Sequence, residues 1–445
     1  GIRFLEFLRG DFGFCDEIEH SRKKIAGKLK PRRGIVSEAE RLKLPSHMDI
    51  IRKIAFKFKP TLKPFIPYAG LFGCISYDFI DQFEDLPKNK IDVTNDPDYL
   101  FYFLDNLFLV DHKADRTFFV ANALITDDRK DAYEECMRKI ENYKNAVNKS
   151  AEKNSSKANS KSGLIKTDTD KKEFERLVMR IKEHIKKGDV YQAVLSRTTS
   201  LNFSKSPLEV YKKLRELNPS PYMFYIRNEF GVLLGSSPEM SLRVEGDESK
   251  IAEIRPIAGT KPRGFANGKI DADLDSRYET ELKTDEKEIS EHVMLVDLAR
   301  NDIAKISEPG TRFVNEPFVV EKYSHVQHLV SNVKGRLKNG LDALHAYTAT
   351  MNMGTLTGAP KVEAMKLLRL YEKTKRGFYG GSVGYITPSG DLDSAIVIRS
   401  VRVKGKKAYV RAGAGIVYDS NPQAEFLETE RKAYACLKAI ELAGE

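Results

Sequence analysis

Residues 221–256 read PYMFYIRNEFGVLLGSSPEMSLRVEGDESKIAEIRP. Apolar runs at 223–226, 231–234, 240–244 and 250–256 follow one another with only short turns between them. Strands joined by short turns pair antiparallel, because a parallel pair needs a long crossover. The stretch therefore predicts an α+β architecture, antiparallel β-sheets packed face to face with helices outside, rather than a doubly wound parallel sheet. Working outward, further strand-like runs lie at 70–77, 99–104, 190–196, 381–386, 395–403 and 408–417. Helices are expected at 131–147, at Pro207–Leu217, as one long helix over 278–304, and at Pro422–Leu442. Another begins at Asp170, a suitable N-cap, carries Phe174, Leu177, Val178, Ile181 and Ile185 at helical spacing, and stops at Gly188.

Residues 148–162, NKSAEKNSSKANSKS, carry almost no apolar side chain and cannot bury a core. They predict a flexible linker at 148–163 between an N-terminal region, 1–147, and a larger region, 164–445, expected to carry the site. The chain has 445 residues, 41% hydrophobic and 31% charged, as in ordinary soluble globular proteins. No run reaches the roughly 18 apolar residues of a membrane helix, and no basic segment followed by an apolar run marks a secretory signal. Cys15, Cys74, Cys136 and Cys436 are far apart and form no CxxC, which points to a reducing, cytoplasmic setting. The chain opens on Gly1 without an initiator Met, so a longer native N-terminus is expected. The net charge of +10 is spread among nearly as many acids. Without a zinc-finger spacing or basic recognition helix it reads as solubilising surface, so neither nucleic acid nor membrane is expected as a partner.

Two predicted helices carry Glu pairs three residues apart, Glu288/Glu291 and Glu425/Glu428, with Lys432 extending the second stripe. Three residues is nearly one turn, so each pair shares a face. Such pairs are ordinarily solvated surface. Four carboxylates meeting in one pocket would raise one another's pKa unless a cation offset them, and all-oxygen ligation suits Mg²⁺. The alternating glycines of Arg411-Ala412-Gly413-Ala414-Gly415 let backbone N–H groups approach an anion, or simply mark a tight strand crossing. His328 could do acid–base work or be a structural strand residue. No Walker or dinucleotide fingerprint is present.

The order of motifs resembles the chorismate-utilising enzyme family over nearly all of the second region. They are GDVYQ (188–192), SSPE (236–239), PIAGT (256–260), LDSR (274–277), EISEHVMLVDLARND (288–302), MGTLTGAPK (353–361), GDLDSAIVIRS (390–400), RAGAG (411–415) and ETERKA (428–433). GLFGCISYD (70–78), DPDY (96–99) and VDH (110–112) extend the resemblance into the first region. Gln192 stands where the water-adding branches carry Lys. Ala258 stands where the aminodeoxychorismate-forming branch carries a Lys that attacks the ring. The resemblance therefore implies the anthranilate-forming branch: Mg²⁺-dependent addition of ammonia at ring carbon 2 of chorismate, then elimination of pyruvate, in tryptophan biosynthesis. The alternatives are the aminodeoxychorismate-forming branch of the folate pathway and an inactive chorismate or tryptophan sensor.

Carried over residue by residue, the resemblance implies Glu291 and Glu428 as principal Mg²⁺ ligands, with Glu288 and Glu425 holding its waters. It implies that Gly413, Ala414, Gly415 and Lys432 meet the ring carboxylate, that Tyr379 and Arg399 take the enolpyruvyl carboxylate, and that Thr260 and Thr355 line the pocket. Glu239 is the implied general acid, assisted by His328, with Gln192 beside them. Pro221, Tyr222 and Met223, in NPSPYM (218–223), resemble a tryptophan-sensing segment. The Leu-Leu-Glu-Ser segment that completes that pocket in the family has no match here, which implies weak tryptophan inhibition. No GxCxGxQ glutaminase element is present, so a separate glutamine amidotransferase subunit, in a heterotetramer, is the implied ammonia source.

Overall fold

The computed structural model describes residues 17–21, 24–28, 38–58, 69–89, 91–123, 125, 129–149, 165–266, 268–323 and 326–443. Of the expected linker, residues 150–163 lie outside this set, and Asn148 and Lys149 end the helix Arg129–Lys149.

Two large antiparallel sheets organise the chain. The seven-stranded sheet runs, in spatial order, Gly358–Ala359, Gln192–Asn202, Lys407–Ile416, Ser400–Lys404, Gly231–Ser237 and Tyr222–Asn228, with Lys166–Thr167 alongside Gln192–Asn202. The nine-stranded sheet runs Ile257–Pro262, Val326–Arg336, Ile251–Ile254, Met240–Glu245, Leu392–Ile396, Ser382–Ile386, Leu71–Ile75 and Tyr99–Phe103, with Phe313–Lys322 also paired to Val326–Arg336. Leu71–Ile75 and Tyr99–Phe103 come from the N-terminal region, so the two sequence regions share one sheet.

The strand period of two explains the layering. Leu233 points to the inter-sheet cluster with Phe224, Cys74, Val383 and Ala395, while its neighbours Val232 and Leu234 face the opposite way. That outer face is covered by helices Pro207–Leu217 and Pro422–Leu442. The outer face of the other sheet packs Leu242, Val244, Ile254 and Val333 against helices His47–Ala55, Glu286–Ile306 and Ala343–Thr350. Leu233 is 2% exposed, and truncating such a residue to Ala costs about 2–5 kcal/mol. The layers are those the short-turn strand pattern implied.

Two expected elements differ, and one strand is additional. The single helix over 278–304 is two, Ala272–Thr284 and Glu286–Ile306, because Asp285 between them is extended and its carboxylate accepts from the N–H groups of Lys287 and Glu288. A helix start that caps well interrupts a helical sequence. The strand over 395–403 is likewise two, Leu392–Ile396 in one sheet and Ser400–Lys404 in the other. The strand Phe313–Lys322 is mostly exposed and was not expected, because Asn315, Glu316 and Pro317 split its apolar residues into two short groups without strand alternation. The helix Lys171–Lys187 does begin on Asp170 and end on Gly188 in the left-handed region, φ 82°.

Candidate active site

Two chain crossings between the sheets place the first functional side chains. Gly231–Ser237 leaves the seven-stranded sheet and re-enters the other as Met240–Glu245, and Leu392–Ile396 makes the return as Ser400–Lys404. Glu239 lies in the first crossing and Arg399 in the second. Backbone bonds tie the crossings together: Ile396 N–H donates to Glu239 O at 3.0 Å and Ser236 N–H to Arg399 O at 3.1 Å. Arg399 adopts φ 48°, a conformation that costs a non-glycine residue on the order of 1 kcal/mol or more and is held only where surroundings enforce it. Glu239 is 6% exposed and its Oε1 has no hydrogen-bond partner. Burial pushes its pKa up to about 8, against the opposing pull of the Thr355 hydroxyl, Lys432 and Arg399. It therefore holds a proton at neutral pH.

The two acid-bearing helices come from opposite sheets. Glu286–Ile306 lies against strands of the nine-stranded sheet, and Pro422–Leu442 covers Lys407–Ile416 of the other. Their Glu pairs converge. Burial raises the Glu288 carboxyl, and Asp285 and Glu428 raise it further. Burial also raises Glu291, with Glu288 and Glu425 adding to the shift against Lys287 and Lys432. Ser420 Oγ donates to Glu425 Oε1 at 2.8 Å, and Lys432 Nζ stands 3.4 Å from Glu428 Oε1. Gly259 has φ 69°, and a Cβ there would meet Glu288 Oε2 at 3.0 Å and Leu282 at 2.8 Å. Only glycine lets the PIAGT strand pass so close to the acids. Among the described residues no three His, Cys, Asp or Glu side chains are already gathered as tightly as around an ion.

The inner wall is Gln192–Asn202 paired with Lys407–Ile416, in which Gly413 stands opposite Ser196 and Gly415 opposite Val194. The Gln192 side chain lies over Gly415, where a Cβ would stand 2.8 Å from its Nε2, and its buried Oε1 lacks a partner. Ala414 is fully buried, so its side chain packs inward while the glycines keep the face open. Lys432 Nζ donates to Gly413 O at 3.1 Å. Tyr379 is 8% exposed, with its Oη 3.3 Å from where a Gly413 Cβ would be. Burial raises the Tyr379 pKa, and Arg376, Arg411 and Arg399 oppose the rise. Thr355 Oγ1 is buried beside Glu239, the carboxyl its hydroxyl acts on.

Opposite this wall, His328 and Thr260 are register partners on adjacent strands. His328 Nδ1 stands 3.0 Å from both Gly259 O and Thr260 Oγ1. The carbonyl can only accept, so the proton belongs on Nδ1 and Nε2 is the acceptor. Burial lowers the His328 pKa, keeping the ring neutral near pH 7.

The structure thus brings together Glu239, Arg399, Tyr379, Thr355, the glycine strand, Lys432 and the four helix acids. Pro221, Tyr222 and Met223 stand elsewhere, at the start of the edge strand Tyr222–Asn228, where Tyr222 Oη donates to Asp393 Oδ1 at 3.0 Å. Two features escaped the sequence. Tyr323 stacks edge-on to His328 at 5.6 Å and donates to Glu321 at 2.8 Å. Glu372, Arg376 and Arg411 form a buried cluster behind Tyr379. A charged residue inside an apolar strand, as Arg411 in AYVRAGAG, was the available signal.

Two facing sheets with an acidic rim over a glycine-lined wall define the class. The profile of the chorismate binding enzyme family matches residues 16–438, and the chain belongs to that family. Among its relatives is anthranilate synthase component 1 of Vibrio parahaemolyticus, 46% identical over 411 residues, or 92% of this chain and 74% of that protein. The Haemophilus influenzae protein of the same name is 43% identical, covering 91% and 76%. The crystal structure of anthranilate synthase component I from Streptococcus pneumoniae superposes with a TM-score of 0.78 at 31% identity, covering 94% of this chain and 89% of that one. The menaquinone-specific isochorismate synthase of Escherichia coli shares the fold alone, with a TM-score of 0.65 at 19% identity over 88% and 82%. No helix among the described residues is long and apolar enough to cross a membrane.

Proposed function

We propose that the chain converts chorismate and ammonia to anthranilate, pyruvate and water, as the large component of an anthranilate synthase in tryptophan biosynthesis. The observation carrying this is the meeting of four helix acids with a buried, protonated Glu239 and Arg399 at the sheet crossings. Identity of 43–46% with proteins of that name supports it.

The four acids suit Mg²⁺. They are all oxygen donors, and their mutual repulsion is what a dication would relieve. Glu291 and Glu428 would ligate it and Glu288 and Glu425 would hold its waters. When bound, it would grip the ring carboxylate and draw electron density from the ring. The remaining work falls to the chain's own groups. Backbone N–H groups around Gly413, Ala414 and Gly415, with Lys432, meet the same carboxylate, and Arg399 and Tyr379 hold the enolpyruvyl carboxylate through charge-assisted bonds. Glu239 delivers its proton to the departing 4-hydroxyl, which leaves as water while ammonia bonds to ring carbon 2. His328 Nε2, with Thr260 fixing the ring, accepts a proton during pyruvate elimination. Ala258 offers no amine for a covalent route, and Gln192, unlike Lys, cannot activate water as a base.

Ammonia reaches the site from a glutamine amidotransferase partner, and the chain alone uses ammonium but not glutamine. We assign Pro221, Tyr222 and Met223 to a separate tryptophan contact. Incubation with chorismate, Mg²⁺ and ammonium tests the reaction, since anthranilate is fluorescent. Accumulation of 4-amino-4-deoxychorismate would instead indicate the folate branch, and glutamine-driven turnover by the isolated chain would contradict the partner assignment.

A further inference from the structure

Behind the glycine wall lies a set of charges that no substrate contact explains. Glu372, just past the helix Lys361–Tyr371, has its carboxylate 4% exposed and fully paired. Its Oε1 accepts from Ser196 N at 2.9 Å, Ser196 Oγ at 2.6 Å and Arg376 Nη2 at 2.7 Å. Its Oε2 accepts from Arg376 Nε and Arg411 Nη2, both at 2.9 Å. The Arg376 guanidinium, 2% exposed, also donates to Leu356 O at 2.6 Å and Val194 O at 2.7 Å. Its Cζ lies 4.4 Å from the Tyr77 ring centroid and 5.9 Å from that of Tyr379, and Arg411 Cζ stands 6.0 Å from Tyr379.

Apart from the Tyr77 ring, the segments that this cluster grips carry residues assigned above to the site. Val194 and Ser196 lie on the strand that starts with Gln192, and Ser196 is the register partner of Gly413. Leu356 follows Thr355. Arg411 begins the Arg411-to-Gly415 motif, and Tyr379 lies three residues beyond Arg376. The planar fork of Arg suits this task, because five fixed donors can hold a carboxylate and two carbonyls at once. Two guanidiniums against one carboxylate also leave a net charge of +1 behind a wall that must attract an anion.

We infer that Arg376, with Glu372 and Arg411, is the positioning hub of the chorismate-binding wall: it sets Tyr379, Thr355 and the Gly413 strand at their working separation. This rests on the proposed binding of chorismate at that wall. The hub touches no substrate and acts through Tyr379 and the backbone.

Arg376→Lys keeps the charge and removes the fork. Calorimetric titration of the folded chain with chorismate and Mg²⁺, without ammonium, should show binding weakened at least about tenfold. The KM for chorismate should rise in step, with a smaller change in kcat. In a Tyr379→Phe background the same substitution should cost less than it does alone, since part of its effect passes through that ring. A variant with lowered Tm but wild-type chorismate affinity well below that Tm would overturn the inference and leave the hub a fold-stabilising device. Should Arg376→Lys not fold, Ser196→Ala removes the 2.6 Å bond to Glu372 with little change of volume. It should weaken binding severalfold, and unchanged affinity there would equally overturn the inference. A wild-type chain that binds no chorismate would sink the proposed function together with this inference, whereas tight binding by both wild type and Arg376→Lys would sink this inference alone.

Discussion

A buried carboxylate, Glu372, and a set of half-buried ones, the four helix acids, flank the same wall and are built on opposite principles. Glu372 is met by two guanidiniums, a hydroxyl and a backbone N–H, so that despite burial its pKa is lowered. Glu288 and Glu291 are raised by burial and by each other's neighbours, with lysines supplying only partial relief. Burial of charge is costly unless the charge is paired. The first cluster satisfies that requirement with protein. On the proposed function the second leaves it to an ion, and that difference separates a structural hub from a binding site.

Glu428→Gln is the sharpest test of the contrast. It should cost about 10³-fold or more in turnover at ordinary Mg²⁺, matching the several kcal/mol a metal supplies. Without metal it should leave Tm unchanged or raised, because it relieves repulsion. Turnover near wild type would show that the final helix ligates no metal. Glu372→Gln should behave the other way. Removing one partner of a buried set costs about 3–5 kcal/mol, visible as a large fall in Tm with or without Mg²⁺. Equal stability of the two variants would erase the distinction.

Glu239 belongs to neither cluster, since burial keeps it protonated and its Oε1 lacks a hydrogen-bond partner. Glu239→Gln should lower turnover about 10²-fold or more, and wild-type turnover should fall as pH rises through about 8. The folded chain keeps this proton to about 8 whereas an unfolded Glu releases it near 4.5, so its contribution to stability is full below pH 4.5 and lost between pH 4.5 and 8. Denaturant titrations at several pH values should therefore find the Gln variant more stable than wild type at pH 8 and above, by on the order of a few kcal/mol. A pH-independent stability difference would contradict the buried acid.

The smallest effect concerns tryptophan. The chain contains no Trp, so indole fluorescence excited at long wavelength reports only added ligand. Tryptophan should show a saturable emission change, and Met223→Ala should weaken it severalfold. An unchanged titration would remove the 221–223 assignment.

Much of this was legible in the sequence, for reasons specific to each element. The pairings of Tyr222–Asn228 with Gly231–Ser237 and of Met240–Glu245 with Ile251–Ile254 follow from short turns, although the turn at residues 238–239 joins two different sheets, and the Asp170 and Gly188 boundaries follow from side-chain capping and left-handed glycine. The break at Asp285 was not, because the residues on both sides continue a helical pattern and only the cap interrupts it. The switch of sheet at residues 397–399 was invisible too, since an apolar run reads alike whether it continues in one sheet or crosses to another. The helix acids were identifiable by spacing and family motif. The Glu372 hub was not, because its partners are 176 residues away at Ser196 and 39 away at Arg411, and only the fold brings them together.

The central claim, that the acid rim completes itself with a dication to aminate chorismate, is tested most directly by one fluorescence assay of the purified chain with chorismate and ammonium, with and without Mg²⁺. Anthranilate should form with Mg²⁺, accompanied by equimolar pyruvate, and its formation should stop on chelation and resume when Mg²⁺ is restored. Anthranilate formation at the same rate in chelator, or chorismate consumption with Mg²⁺ and no anthranilate, would contradict it.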